Sequence, residues 1–201
     1  MRAKKNQDQL RQRIANLAAQ NMLESGIRDF QLAKRKAAVQ LHISENSIMP
    51  SNQEIEQALI EYQGLFHGQT QPQELQQLRQ TALQAMQFFR VFKPRLAGDV
   101  LSGSADKNSR VELHLFADYP EQVGIFLMDE EMPYEEKSRR LRFNQDSYIE
   151  MPVFTFVADD TPIELVVFPL DGIRQAPISP VDGKPMQRAD VKAVELMVES
   201  R

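Results

Sequence analysis

The most constraining feature of this chain is a change of hydrophobic period close to residue 94. Before Lys93-Pro94 the apolar residues recur at three- and four-residue steps; after it they alternate. A helical period and a strand period place side chains on a face in incompatible ways, so the two stretches form different structure. Pro94 sharpens the boundary, because the residue before a proline is pushed out of the helical region.

Four helices are expected before that boundary. Leu10, Ile14, Leu17, Ala18 and Met22 make one stripe, which breaks at Ser25-Gly26. Phe30, Ala33, Ala37 and Leu41 resume it, and a loop is expected over Ser44–Pro50. Ser51 and Glu54 have the spacing of a capping box, in which the hydroxyl and the carboxylate each take an amide left open by the first turn. Ile55, Leu59, Tyr62 and Phe66 give the inner face of the third helix, and Gly68 is expected to end it. The fourth begins near Thr70, with Pro72 in its first turn, where the missing amide proton is harmless. Leu75, Leu78, Ala82, Met86 and Phe89 line it.

After the boundary, Val111–Phe116 alternates, with Val111, Leu113 and Leu115 on one face and Glu112, His114 and Phe116 on the other. Pro120 opens a helix carrying Val123, Phe126, Leu127 and Met128. Arg139–Phe143, Val153–Val157 and Ile163–Phe168 read as strands. Asp159-Asp160-Thr161-Pro162 reads as the turn that makes the last two an antiparallel pair. Residues 170–188 hold Gly172, Pro177, Pro180, Gly183 and Pro185, which predicts a loop or lid. Val191, Val194 and Val198 align in a closing helix over 189–199. The class is α+β: an N-terminal helical region over 1–70, then a domain over 71–201 with a mixed sheet flanked by helices.

Charge is divided along the chain. Residues 1–100 hold 13 Lys/Arg against 9 Asp/Glu, while residues 101–201 hold 11 against 19. The first 36 residues carry 9 basic and 3 acidic side chains. Arg11, Arg13, Lys34, Arg35 and Lys36 are therefore candidates for contact with nucleic acid or an acidic protein, against the simpler reading of a solvated helix face. Cysteine is absent, which excludes disulfides, thiolate metal sites and cysteine nucleophiles. The basic start runs into Gln and Asn, without the apolar core of a secretory signal, and no stretch has the length of a membrane helix. Cytoplasmic location, away from membranes, is the expectation.

One segment has the composition of a site: Leu96-Ala97-Gly98-Asp99-Val100-Leu101-Ser102-Gly103-Ser104-Ala105-Asp106-Lys107-Asn108-Ser109-Arg110-Val111-Glu112-Leu113. A strand end runs into a glycine turn, a second glycine follows five residues later, and a polar loop leads into an alternating strand. The segment resembles the signature of the DNA polymerase β-like, or minimal, nucleotidyltransferase superfamily over about residues 95–170. In that family an apolar strand ends in Gly-Ser or Gly-Gly, and the next strand carries paired acids one residue apart. Glycines let backbone amides approach a triphosphate, and carboxylates at i and i+2 share one strand face, where they can hold divalent cations.

The resemblance implies a nucleotide site at Gly98, Ser102, Gly103, Ser104 and Arg110, and a magnesium site at Glu112 with Glu164 as the acid from a neighbouring strand. It also implies transfer of a nucleoside monophosphate from a nucleoside triphosphate to a hydroxyl, with Glu112 and Glu164 catalytic. This chain departs from the pattern in two places. Asp99 stands where the family has Ser, and Arg110 stands where the first metal-binding acid belongs. The incomplete acid set favours a divergent member that binds a nucleotide or nucleic acid with weak or lost catalysis. An active metal-dependent transferase is the alternative, and a helical protein-interaction module on an unrelated α+β domain is a second. His114 shares the Glu112 face and is a candidate for metal or phosphate. His42 and His67, near helix ends, are expected to be structural. Arg174, Lys184 and Arg188 either clamp phosphate or belong to a solvated loop.

Overall fold

The computed structural model describes residues 2–43, 49–66, 71–144 and 147–200. Residues 44–48 of the loop expected over Ser44–Pro50, the helix stop at Gly68, the helix start at Thr70 and His67 lie outside those residues, as does the side chain of Phe66. The described residues form α1 (Arg2–Ser25), α2 (Phe30–Gln40), α3 (Asn52–Phe66), α4 (Gln71–Phe88), β1 (Arg95–Ala97), α5 (Gly98–Ser102), β2 (Val111–Phe116), α6 (Glu121–Asp129), β3 (Glu135–Arg142), β4 (Tyr148–Ala158), β5 (Thr161–Phe168) and α7 (Val191–Glu199). The fold is α+β, with helices leading and a mixed sheet following.

Two compact units divide the chain: Met1–Gln71 with Pro180–Asp182, and Pro72–Ser179 with Gly183–Arg201. In the first, small residues let helices approach closely. Ile14, Ala15, Ala18 and Ala19 of α1 pack with Ala33 and Ala37 of α2 and with Ile55, Ala58 and Leu59 of α3. The capping box forms as expected: Ser51 Oγ accepts from the Glu54 amide at 3.2 Å, and Glu54 Oε2 accepts from the Ser51 amide at 2.8 Å. Asp29 caps α2 through the Leu32 amide at 2.7 Å, and His42 follows that helix with φ +55°.

The second unit is a five-stranded sheet in the order β1-β2-β5-β4-β3, in which β2 and β5 are parallel and the other pairs antiparallel. Its two faces differ. Val111, Leu113 and Leu115 of β2, Ile163, Leu165 and Val167 of β5, and Phe154 and Phe156 of β4 form one core with α4, α6 and α7. Phe89 lies at its centre, with Phe88, Phe126 and Phe156 rings 5.0 to 5.9 Å away. Met128, expected on the inner side of α6, is 66% exposed, because Val123 and Leu127 already fill the stripe that faces the sheet.

The second face carries Phe116, Met151, Val153, Val166 and Phe168, a smaller apolar cluster. Leu141, Phe143 and Ile173 pack against it. The turn between β4 and β5 holds Asp159 and Asp160 at φ +46° and +62°. The segment after β5 begins with one turn of 3-10 helix, Leu170–Ile173, and continues irregularly. It is tied down near its end: Ala189 exchanges two backbone hydrogen bonds of 2.9 Å with Leu96 of β1.

Candidate functional site

Period-two alternation along β2 puts Arg110, Glu112 and His114 on one side of the strand. The parallel register sets Glu112 opposite Glu164 of β5. These two carboxylates therefore sit side by side on the second face, and Glu164 is 3% exposed. Glu164 lies on an interior strand of the sheet, between β2 and β4. Gly98 is set against Glu112. A Cβ built on Gly98 would lie 3.5 Å from Glu112 Cβ and 3.7 Å from Glu112 Oε2. The φ of +70° at Gly98 is one that glycine adopts without penalty.

Two adjacent carboxylates, one buried and one half-buried, repel each other and lose hydration, so both require cationic partners. Those partners are arginines. Arg110 Nη1 pairs with Glu164 Oε2 at 2.6 Å. Arg139 of β3 spans the pair, donating from Nη1 to Glu112 Oε2 at 2.9 Å while Nη2 pairs with Glu164 Oε1. Glu112 Oε1 is 2.9 Å from His114 Nε2, and Arg188 Nε donates to His114 Nδ1 at 2.8 Å. Because Nδ1 accepts from a guanidinium, it carries no proton, and His114 is neutral with its proton on Nε2. The charged face is a chain of contacts: Arg110, Glu164, Arg139, Glu112, His114, Arg188.

The protonation equilibria follow that wiring. Burial pushes the Glu112 carboxyl up, but the hydrogen bond from His114 and the Arg139 charge outweigh it and bring it down to about 2. Burial lowers His114 from its ordinary value of 6.5, Glu112 acts the other way, and Arg188 and Arg139 lower it further. Arg188 is brought down to about 10, first by burial and then by the charge of Arg95, against the pull of Glu112.

The remaining expected site residues are placed as follows. Gly98–Ser102 is a single helical turn, α5, where the sequence suggested a bare glycine bend. Gly103 closes it at φ +90° and lies against Leu75 and Arg79 of α4. Ser102 Oγ and Ser104 Oγ are 2.9 Å apart, and Ser104 is buried. Arg174 and Lys184 are exposed, but Arg188 is packed over the Phe168 and Phe116 rings at 4.6 and 5.2 Å and is no solvated loop residue.

Within the helical unit, Arg11 pairs with Glu54 at 2.8 Å and with Asp8 at 3.3 Å. Lys34 is 8% exposed and its ammonium is lowered by burial, with Glu54 opposing. Lys36 Nζ donates to Ser25 Oγ at 3.0 Å. Arg13 and Arg35 are exposed. The five cations thus do not form one uniform surface.

Sequence reasoning missed Arg139 and Arg95. A signal for Arg139 was present: it falls in line with Leu141 and Phe143, and a charge in step with apolar positions is a charge turned inward. Arg95 had none, because three residues are too few to show an alternation.

Glu112 and Glu164 are the acids from which a magnesium site would be built. Arg139 occupies an oxygen of each, and among the described residues no group of three or more His, Cys, Asp or Glu side chains is placed to hold a metal ion. As arranged, the donor set does not fit magnesium, since hard cations demand several free oxygens. Compared with protein-family models, curated proteins and solved structures, the chain matches none.

Proposed function

We propose that this chain is a divergent protein of the nucleotidyltransferase type that binds a nucleotide through the second face of its sheet and has lost metal-dependent catalysis. The observation that carries the reading is Arg139 lying across Glu112 and Glu164 beside Gly98. Neighbouring carboxylates under a glycine approach have the layout expected of a polyphosphate site. A guanidinium between them supplies the neutralisation that a divalent cation would otherwise supply, without a metal's ability to polarise a phosphoryl oxygen. Arg110, whose side chain is 43% exposed, is available at the rim to meet phosphate oxygens in the forked geometry guanidinium favours.

Thermal unfolding with each nucleoside triphosphate, with and without magnesium or manganese, tests this. Stabilisation that needs no metal supports the reading. Stabilisation that appears only with metal overturns it in favour of an active transferase, in which case Glu112→Gln and Glu164→Gln each abolish the effect. No stabilisation by any nucleotide overturns it in favour of a helical interaction module. For that module, the measurement is nucleic-acid affinity against salt, since contacts from Arg13 or Arg35 to phosphate give a steep salt dependence.

A further inference from the structure

We infer that Arg95 and Arg188, at the β1 end of the charged face, form a subsite for a phosphate group that binds without metal. It lies beyond the carboxylate pair, and it rests on the nucleotide reading only for the identity of the larger molecule that carries the phosphate.

The register places the two residues together. Arg95 is opposite His114 in the antiparallel β1–β2 pair, so both side chains rise from the same face. Arg188 reaches that histidine from the other side, because the Ala189–Leu96 backbone pairing fixes the chain immediately after it against β1. The guanidinium is held in three ways: Nε on His114 Nδ1 at 2.8 Å, Nη1 on the Gly172 carbonyl at 2.8 Å, and its plane over Phe168 and Phe116. The remaining nitrogen, Nη2, is buried and has no hydrogen-bond partner. A buried charged donor without an acceptor within the chain is costly, so this nitrogen favours an acceptor from outside, and an anion answers its charge where a water answers only the hydrogen bond.

Charge supports the same conclusion. The hydrogen bonds of Arg95 and Arg188 end on the Pro94 carbonyl, the Gly172 carbonyl and a neutral imidazole, and among the described residues neither guanidinium is ion-paired. Glu112 acts on Arg188 only at longer range, and Arg95 repels it. Elsewhere on the face the two glutamates are already matched by Arg110 and Arg139. Two adjacent cations in excess attract an anion, and a phosphate monoester, carrying close to two negative charges at neutral pH, matches both.

The test is calorimetric titration of the full chain with inorganic phosphate and with ATP at constant ionic strength, for the wild type, Arg95→Gln and Arg188→Gln. The wild type is expected to bind phosphate without metal, and each variant to bind it about tenfold or more weakly. If ATP affinity falls in parallel, the subsite takes the nucleotide's own phosphate. If ATP affinity is unchanged or ATP does not bind at all, the subsite stands as one for free phosphate. Absence of phosphate binding by the wild type, or wild-type affinity in either folded variant, overturns the inference. Should Arg188→Gln fail to fold, Arg95→Gln, at a half-buried position whose side-chain hydrogen bond is to the neighbouring Pro94 carbonyl, decides.

Discussion

Arg139 and Glu164 are joined across the sheet: a guanidinium from the edge strand β3 holds the carboxylate of the interior strand β5, and its other nitrogen reaches Glu112 at 2.9 Å. Glu164 is nearly inaccessible, and it is matched twice, by Arg139 and by Arg110 Nη1 at 2.6 Å. Breaking a buried ion pair outright costs about 3–5 kcal/mol, but when Arg139 is lost Arg110 still faces Glu164 and His114 still faces Glu112, so the cost falls below that range. Arg139→Gln is therefore expected to lower the unfolding free energy in urea by about 1–3 kcal/mol, the cost of hydrogen-bonding groups left short of a partner. Adding Glu164→Gln is expected to recover part of the loss, because it removes one of two carboxylates left with a cation fewer between them. A double-variant loss equal to the sum of the losses of Arg139→Gln and Glu164→Gln would show that the two residues are not coupled.

Gly98→Ala isolates backbone strain from crowding. The added methyl meets Glu112 Cβ at 3.5 Å, an ordinary contact, but φ of +70° is left-handed. An L-residue there costs about 1–2 kcal/mol. The variant should unfold at lower denaturant concentration by that amount with an unchanged m-value, since no surface is newly exposed. An unchanged midpoint would mean that the turn relaxes to another conformation.

Much of this architecture was legible because local rules and packing agree. The switch of period at Pro94, the alternation of Val111–Phe116 and the stripe from Leu75 to Phe89 each correspond to an observed element with the expected inner face. Glu112 and Glu164 were readable as carboxylates on one face, since each breaks an apolar run at a period-two position. What the sequence left open is partnership across the sheet. That Arg139 meets Glu164, or that Arg188 meets His114, depends on strand order and on a segment returning to β1 after about ninety residues, and no local pattern encodes either. The single turn of α5 escaped notice because five residues give no helical periodicity. The exposure of Met128 reflects competition for a sheet surface that Val123 and Leu127 already cover.

The Ser51 cap supplies a prediction in the helical unit. Ser51→Ala removes the acceptor for the Glu54 amide and one of the donors to Glu54 Oε2. Loss of an N-cap hydroxyl costs about 1 kcal/mol. Glu54 also pairs with Arg11, so loosening it weakens a contact between α3 and α1. The expected observation is faster amide exchange over the first turn of α3 with exchange in the β2–β5 strands unchanged. Uniform acceleration across both units would instead mark the cap as part of a single cooperative transition.

Acid should destabilise this protein in two stages. His114 is held neutral, with a folded-state value below 6.5, so the unfolded chain binds more protons as pH falls below 6.5. Its contribution is present above 6.5 and is lost downward through the lowered folded value. Glu112 is lowered from 4.5 to about 2, so its contribution is present above 4.5 and is lost as pH falls from 4.5 towards 2. Both act in the same direction, and a melting temperature followed from pH 7 to pH 3 should decline first below 6.5 and more steeply below 4.5. Protonating His114 on Nδ1 also breaks the hydrogen bond from Arg188 and places a cation against it, so the first stage should release the segment before Ala189. Replacing the imidazole by an amide, as in His114→Gln, removes the titrating group. The first decline should then vanish while the second remains, whereas a profile identical to the wild type would exclude His114 as its source.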